Sequence, residues 1–138
     1  SATGGSGTAG QGFDGGSVPS NDNGAAGGGG AGGAAANYSG TNMAGGIGLA
    51  SSITGSSVTR AVGGGGSMAS TSSKTANTGG GGDGSTNNNV DPTAGASGVV
   101  IMRIPTANYS GVTSGSPTVT TEGSDKVLVF NASGSVTG

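Results

Sequence analysis

The chain has 138 residues and a net charge of −2, with 35 glycines and no cysteine, histidine or tryptophan. Only 7% of its residues are charged and 3% are aromatic, so much of it lacks the apolar side chains whose burial normally offsets the entropy lost on folding. The four cations are scattered and no run of about 18 apolar residues occurs, which excludes nucleic-acid binding through clustered positive charge and a membrane-spanning helix.

Residues 1–50 are of low complexity, with glycine pairs and short glycine runs between small polar residues. Glycine at this density opposes a helix and leaves turns with positive φ or extended polyproline-II-like strands. A polyproline-II strand has about three residues per turn and no internal hydrogen bonds, so its N–H and C=O groups can pair with a neighbouring strand. Because the chain is nearly uncharged and has only four prolines, we expect order that depends on association with other copies rather than disorder.

The segment 51–62 differs from its surroundings because it contains several β-branched residues, and Gly55 supplies a tight turn. It predicts a short hairpin near 51–62, with Ile53 and Val58 contributing to an apolar core. Residues 63–98 return to low complexity, and Asp83 interrupts a glycine run there. That interruption argues against long, regular polyglycine helices as the sole architecture.

Most large apolar side chains lie in the C-terminal part of the chain. The run 99–104 predicts a strand ended by Pro105, and the segments 118–121, 126–130 and 135–137 predict three more, with a turn at 122–125. The predicted fold is mostly β and irregular, with short antiparallel strands, Gly-rich polyproline-II-like or loop segments and no substantial helix, in an intertwined homo-oligomer. The predicted β-core consists of Ile53, Val58, Val99, Val100, Ile101, Ile104, Val127, Leu128, Val129 and Phe130.

These elements divide the chain into a glycine-rich segment, residues 1–98, and a small antiparallel β unit, residues 99–138. The sequence starts without an initiator methionine and ends in a strand-like segment. We therefore expect it to belong to a longer parent chain, in which the β unit continues into a further repeat.

One pentapeptide, ANYSG, occurs twice, at 36–40 and 107–111. It carries both tyrosines, Tyr38 and Tyr109, each preceded by an asparagine, Asn37 or Asn108. Tyrosine rings can stack on sugars and asparagine amides both donate and accept hydrogen bonds, so these four residues are candidates for surface contact. Drift within a biased composition explains the repeat equally well.

The side chains that usually carry catalysis are missing. Without histidine or cysteine, and with acidic residues that stand singly, the many serines and threonines have no base to activate them. We expect no enzyme activity, no cofactor and no metal. Calcium is the alternative, because the loops 21–24 and 87–91 supply oxygen ligands.

Several stretches, in this order, resemble the glycine-rich domain of tail-fibre and related virion proteins of tailed bacteriophages. They are SITGSSVTRA at 52–61 followed by the glycines 63–66, ANTGGGG at 76–82, GVVIMRIP at 98–105, and the closing 118–121 and 126–137. The resemblance covers most of the chain from residue 10 onward. It implies a virion fibre exposed to the medium, often trimeric, and no catalytic residues.

Three functions follow as hypotheses. The first is a structural module of an extracellular fibre on the virion surface, a stiff spacer that self-associates as a homotrimer or higher assembly. The second is a receptor-binding adhesin that recognises a bacterial surface glycan or protein. The third is an ice-binding protein, which would need a strict Gly-X-X period that the sequence does not sustain.

Overall fold

The computed structural model of the chain describes residues 1–19, 24–40, 43–66, 74–85 and 91–137. It divides into two compact units. Unit 1 comprises Ser1–Ala50 and Thr59–Ser97, and unit 2 comprises Ser51–Val58 and Gly98–Gly138. The turn segment Ser51–Val58 thus belongs with the C-terminal unit, whereas the sequence-based division assigned it to the glycine-rich segment.

The prediction of short antiparallel strands and irregular segments without a substantial helix is confirmed in the described residues. Seven strands are present, and the only helical element in the described ranges is one 3-10 turn at Thr106–Asn108. The strands are β1 (Leu49–Ser51), β2 (Val58–Arg60), β3 (Val100–Pro105), β4 (Thr113–Ser114), β5 (Thr118–Glu122), β6 (Asp125–Phe130) and β7 (Ser135–Val136). No described helix is long and apolar enough to cross a membrane.

The segment predicted as a hairpin contains β1 and β2, which pair as a two-stranded sheet. A turn at 52–55 separates them, in which the Gly55 N–H donates to the Ser52 carbonyl at 3.0 Å. Gly55 has a φ of +87°, a conformation that costs glycine nothing and a β-branched residue a great deal.

Unit 2 is built on a three-stranded antiparallel sheet in the order β3-β6-β5. Strands β5 and β6 are joined by the two-residue loop 123–124, whose first residue, Gly123, has a φ of +64°, the position where a type II′ hairpin turn places glycine. A second small sheet pairs β4 with β7. The sequence predicted β7 but missed β4, because two residues are too few to show a period.

The core of unit 2 lies on the central strand β6, which has a neighbour on each side. Val127 and Leu128 are fully buried and Phe130 nearly so. Leu128 lies opposite Met102 of β3 and Val119 of β5, so it is enclosed by strands on both sides. The other predicted core positions are half-buried, namely Ile53, Val58, Val99, Ile101, Ile104 and Val129.

Val100 was predicted as a core residue, and that prediction is wrong for the single chain. Its relative exposure is 61%, because β3 is an edge strand and Val100 lies at its first position, opposite Phe130. An apolar run in the sequence indicates a strand but cannot reveal which residues of it a neighbouring element covers.

Unit 1 is held together by glycine-rich segments that cross one another, and burial in them recurs every third residue. The buried positions are Gly27 and Gly30, Met43 and Gly46, Gly63 and Gly66, and Gly80 and Asp83. Several hydrogen bonds between the segments have the same spacing. The N–H groups of Gly28 and Ala31 donate to the carbonyls of Gly64 and Ala61, in an antiparallel pairing. A repeat of three residues is that of polyproline-II strands, not of β-strands.

The pairing in unit 1 is antiparallel in some places and parallel in others. Gly63 and Gly66 donate to the carbonyls of Gly46 and Met43, which run in the opposite direction. In contrast, residues 81 and 84 donate to the carbonyls of residues 62 and 65, which run in the same direction. All these partners belong to one chain, so the backbone hydrogen bonds that we expected from other copies are made within a single copy.

Substituting Leu128→Ala tests the assignment of the unit 2 core. Removing a fully buried leucine side chain leaves a cavity, and we expect the free energy of unfolding to fall by about 2–5 kcal/mol. Val112→Ala is the control, because Val112 is an exposed valine of unit 2 that lies outside this sheet, and we expect it to change stability by less than about 0.5 kcal/mol, as exposed substitutions do. Urea denaturation of the full chain measures both, and equal losses would contradict the assignment.

Candidate functional site

The interior of unit 1 is lined with backbone rather than side chains. A Cβ on Gly29 would overlap the carbonyl oxygen of Phe13, and one on Gly63 would overlap the carbonyl oxygen of Gly28. A Cβ on Gly27 would lie 2.6 Å from the carbonyl oxygen of Ala44 and 2.9 Å from Gly45. Only glycine lets two backbones approach so closely, as on the crowded axis of collagen. We call this interior, at residues 27–30, 43–46, 63–66 and 80–83, the glycine interior.

One large side chain occupies the glycine interior. Met43 is 1% exposed, its carbonyl accepts a hydrogen bond from Gly66 N–H at 2.8 Å, and its Sδ lies 3.4 Å from Ser39 N. Methionine is flexible and fills irregular space. Sequence patterns did not identify Met43 as a buried residue, because its neighbours along the chain are small residues without an apolar period.

Asp83, which interrupts a glycine run in the sequence, is the charged anchor of the glycine interior. It is 3% exposed, and its Oδ1 accepts hydrogen bonds from Gly65 N–H and from Lys74 Nζ, both at 2.7 Å. Its own N–H donates to Thr93 Oγ1 at 2.8 Å. Since it lies three residues after the buried Gly80, Asp83 continues the period of three and links the chain segments around it.

Small polar side chains complete the backbone pairing elsewhere in unit 1. Ser17 Oγ accepts a hydrogen bond from Gly4 N–H at 3.0 Å, and Asn37 Oδ1 accepts one from Ser17 N–H at 2.8 Å. Such bonds to side chains satisfy main-chain donors that have no carbonyl within reach.

The four predicted surface residues lie in different local structures in the two repeats. In the first repeat, Asn37 is engaged with Ser17, and the half-buried Tyr38 ring lies against Gly24, where an added Cβ would be 2.6 Å from Tyr38 Cδ2. In the second repeat, Asn108 is exposed at the end of the 3-10 turn and Tyr109 is half-buried. The two copies share an exposed asparagine, a half-buried tyrosine and a final glycine with positive φ.

Unit 2 carries an ion pair across its sheet. Arg103 Nε on β3 lies 2.7 Å from Asp125 Oδ2 on β6, and Arg103 Nη2 donates to the Glu122 carbonyl at 3.3 Å. The two residues are diagonal neighbours in the register of β3 and β6. Because both side chains are partly exposed, the pair adds at most about 1 kcal/mol and mainly fixes the register.

No cluster of three or more acidic residues that could hold a metal ion occurs in the described ranges. The calcium alternative falls largely outside them, because residues 21–23 and 87–90 are not described. Two of the described acids, Asp83 and Asp125, are held in ion pairs. The geometry therefore provides a tightly packed backbone scaffold with an exposed surface.

Comparison with known proteins adds no relative. No protein-family model, curated protein or solved structure matches the chain.

Substituting Gly29→Ala tests the glycine interior. The new methyl group would meet the Phe13 carbonyl, and we expect a loss of about 1–3 kcal/mol in the free energy of unfolding, as overpacking causes. The adjacent Gly28→Ala is the matched control, because the nearest atom to its Cβ, Gly64 N, is 3.8 Å away. A Gly28→Ala variant should be as stable as the parent or slightly more so, since alanine restricts the unfolded chain. Equal effects of the two substitutions would show that close backbone approach does not govern this region.

The role of Asp83 is tested by Lys74→Met. Removing the ammonium leaves a buried carboxylate without its counter-charge, and we expect a loss of about 3–5 kcal/mol in the free energy of unfolding. The double variant Lys74→Met/Asp83→Asn removes both charges and should recover part of that loss. Thermal denaturation of the three proteins measures this, and a double variant less stable than Lys74→Met would contradict the proposed charge pairing.

Proposed function

We propose that this chain is a structural module of an extracellular fibre, in a tail or other virion fibre of a bacteriophage. The glycine interior carries the proposal. It produces an ordered scaffold from backbone hydrogen bonds spaced by three residues, as between Gly28 and Gly64 or Gly84 and Gly65, without a large hydrophobic core. A structural role in a fibre exposed to the medium requires such order, and the family that the sequence resembles supplies the setting.

The accessible chemistry of the surface agrees with this role. Charged residues are few, and four of those in the described ranges form two ion pairs, Lys74 with Asp83 and Arg103 with Asp125. Protease cleavage requires local opening of the chain. Backbone groups held between segments resist that opening, which suits a protein that persists outside the cell.

Self-association fits the exposed apolar face of the unit 2 sheet. Val100, Met102 and Val119 are all exposed on the face that also carries Leu128 and Phe130. An open cleft of about 310 Å³ is lined in part by Val100, Met102, Phe130 and Val136. Burial of this face between copies of the chain would stabilise a homotrimer or a higher assembly.

The location and the assembly are tested separately. Gold-labelled antibody against the chain should decorate the fibres of virions whose genome encodes it, and unlabelled virions would refute the proposed location.

Sedimentation equilibrium of the purified chain should give three or more times the 12.4 kDa chain mass. A monomer at every concentration would refute self-association through this chain, and Val100→Asp should dissociate the assembly if the sheet face is the interface.

A further inference from the structure

The surface of unit 1 carries an open cleft. Its volume is about 580 Å³, which is within the usual range for small-molecule sites. The loop 7–14 forms one wall, and Ala31 and Leu49 belong to the other lining residues. We call it the Phe13 cleft.

Phe13 and Leu49 give the cleft an apolar surface. They are 53% and 59% exposed. The backbone of Phe13 is nevertheless anchored in unit 1 by a 3.0 Å hydrogen bond from its N–H to the Gly30 carbonyl. The aromatic side chain is thus presented to solvent from an anchored backbone. A fixed backbone reduces the entropy that ligand binding would otherwise cost.

Polar groups lie beside this aromatic side chain. Asp14, the next residue, lines the cleft, and its Oδ1 accepts a hydrogen bond from Gly7 N–H at 2.6 Å, which orients the carboxylate. Gln11 also lines the cleft with an exposed side chain. The turn that carries it is closed by hydrogen bonds from Gln11 and Gly12 N–H to the Thr8 carbonyl. A carboxylate only accepts hydrogen bonds, whereas an amide both accepts and donates them.

We infer that the Phe13 cleft binds a neutral monosaccharide unit of a glycan. The apolar C–H face of a pyranose suits the exposed aromatic ring, and its hydroxyl groups, which donate and accept, suit Asp14 and Gln11 together. A peptide bound through charges of both signs does not suit the cleft, because Asp14 is the one charged residue among the described residues that line it. A metal ion finds only one carboxylate, and Gly7 already engages one of its oxygens.

This inference goes beyond the structural role, because it adds a binding site to the scaffold. It also differs from the sugar contact that the sequence predicted at Tyr38 and Tyr109. The Tyr38 ring is packed against Gly24, whereas Phe13 lines a cleft together with Gln11 and Asp14.

The test is a nitrogen-15 NMR titration of the full chain with four probes, the methyl glycosides of glucose, galactose, mannose and N-acetylglucosamine. We expect at least one to give saturable shifts of the amides of residues 9–14 and of Leu49, with a Kd in the millimolar range. No saturable shift there with any probe would overturn the inference, and so would shifts produced by calcium chloride alone.

Matched variants decide whether the side chains carry the binding. Phe13→Ala should weaken the bound glycoside at least about tenfold, and Gln11→Ala should weaken it severalfold. Ile47→Ala is the control, because Ile47 is an exposed apolar residue of the same unit that does not line the cleft, and it should bind as the parent does. If Phe13→Ala lowers the melting temperature, the affinity of Gln11→Ala for the glycoside decides the question, because Gln11 is exposed and its substitution should leave the fold intact. Parent-like affinity in Gln11→Ala and in every folded Phe13 variant would overturn the inference.

Discussion

The close approach of one backbone to another is the constraint on which unit 1 depends. Every extended segment without internal hydrogen bonds must place its N–H and C=O groups on a neighbour or on water. In this chain the neighbours are other segments of the same chain, and Gly29 and Gly63 lie where a methyl group would strike a carbonyl oxygen. Glycine therefore has a structural role despite its entropic cost. The same constraint explains why a chain with so few large apolar residues forms an ordered scaffold.

Unit 2 is stabilised in a different way. Its sheet places Leu128 and Val127 on a central strand, where neighbours on both sides exclude water, and hydrophobic burial supplies most of the stabilisation. Unit 1 has only Met43 as a large buried apolar side chain in its described part, and it adds the charged anchor at Asp83. One chain thus combines a backbone-packed scaffold with a conventional small sheet, and the exposed apolar face of that sheet is free to meet other copies.

The sequence predicted the parts of the fold that depend on local pattern. Apolar runs identified β3 and β6, and β-branched residues identified β5. Gly55 and Gly123 marked turns, and both residues take positive φ in the structure. It could not predict which segments pair in unit 1, since glycine-rich segments look alike and differ only in their distant partners. For the same reason Asp83 seemed to interrupt a regular pattern, although it occupies a buried position of that pattern. The sequence predicted a sugar contact at Tyr38, whereas the sugar site that we propose from the structure lies at Phe13. The exposure of an aromatic ring depends on tertiary packing, which the local sequence pattern does not reveal.

Amide hydrogen exchange of the full chain tests the central claim most directly. The backbone-paired account predicts slow exchange at the donors Gly28, Ala31, Gly63, Gly66, Gly81 and Gly84. It also predicts faster exchange at Gly29, Gly64 and Gly82, which donate no hydrogen bond within the described residues. The protected donors of each pair, 28 and 31, 63 and 66, and 81 and 84, would then lie three residues apart. Exchange at these six donors as fast as at Gly29, Gly64 and Gly82 would contradict the account.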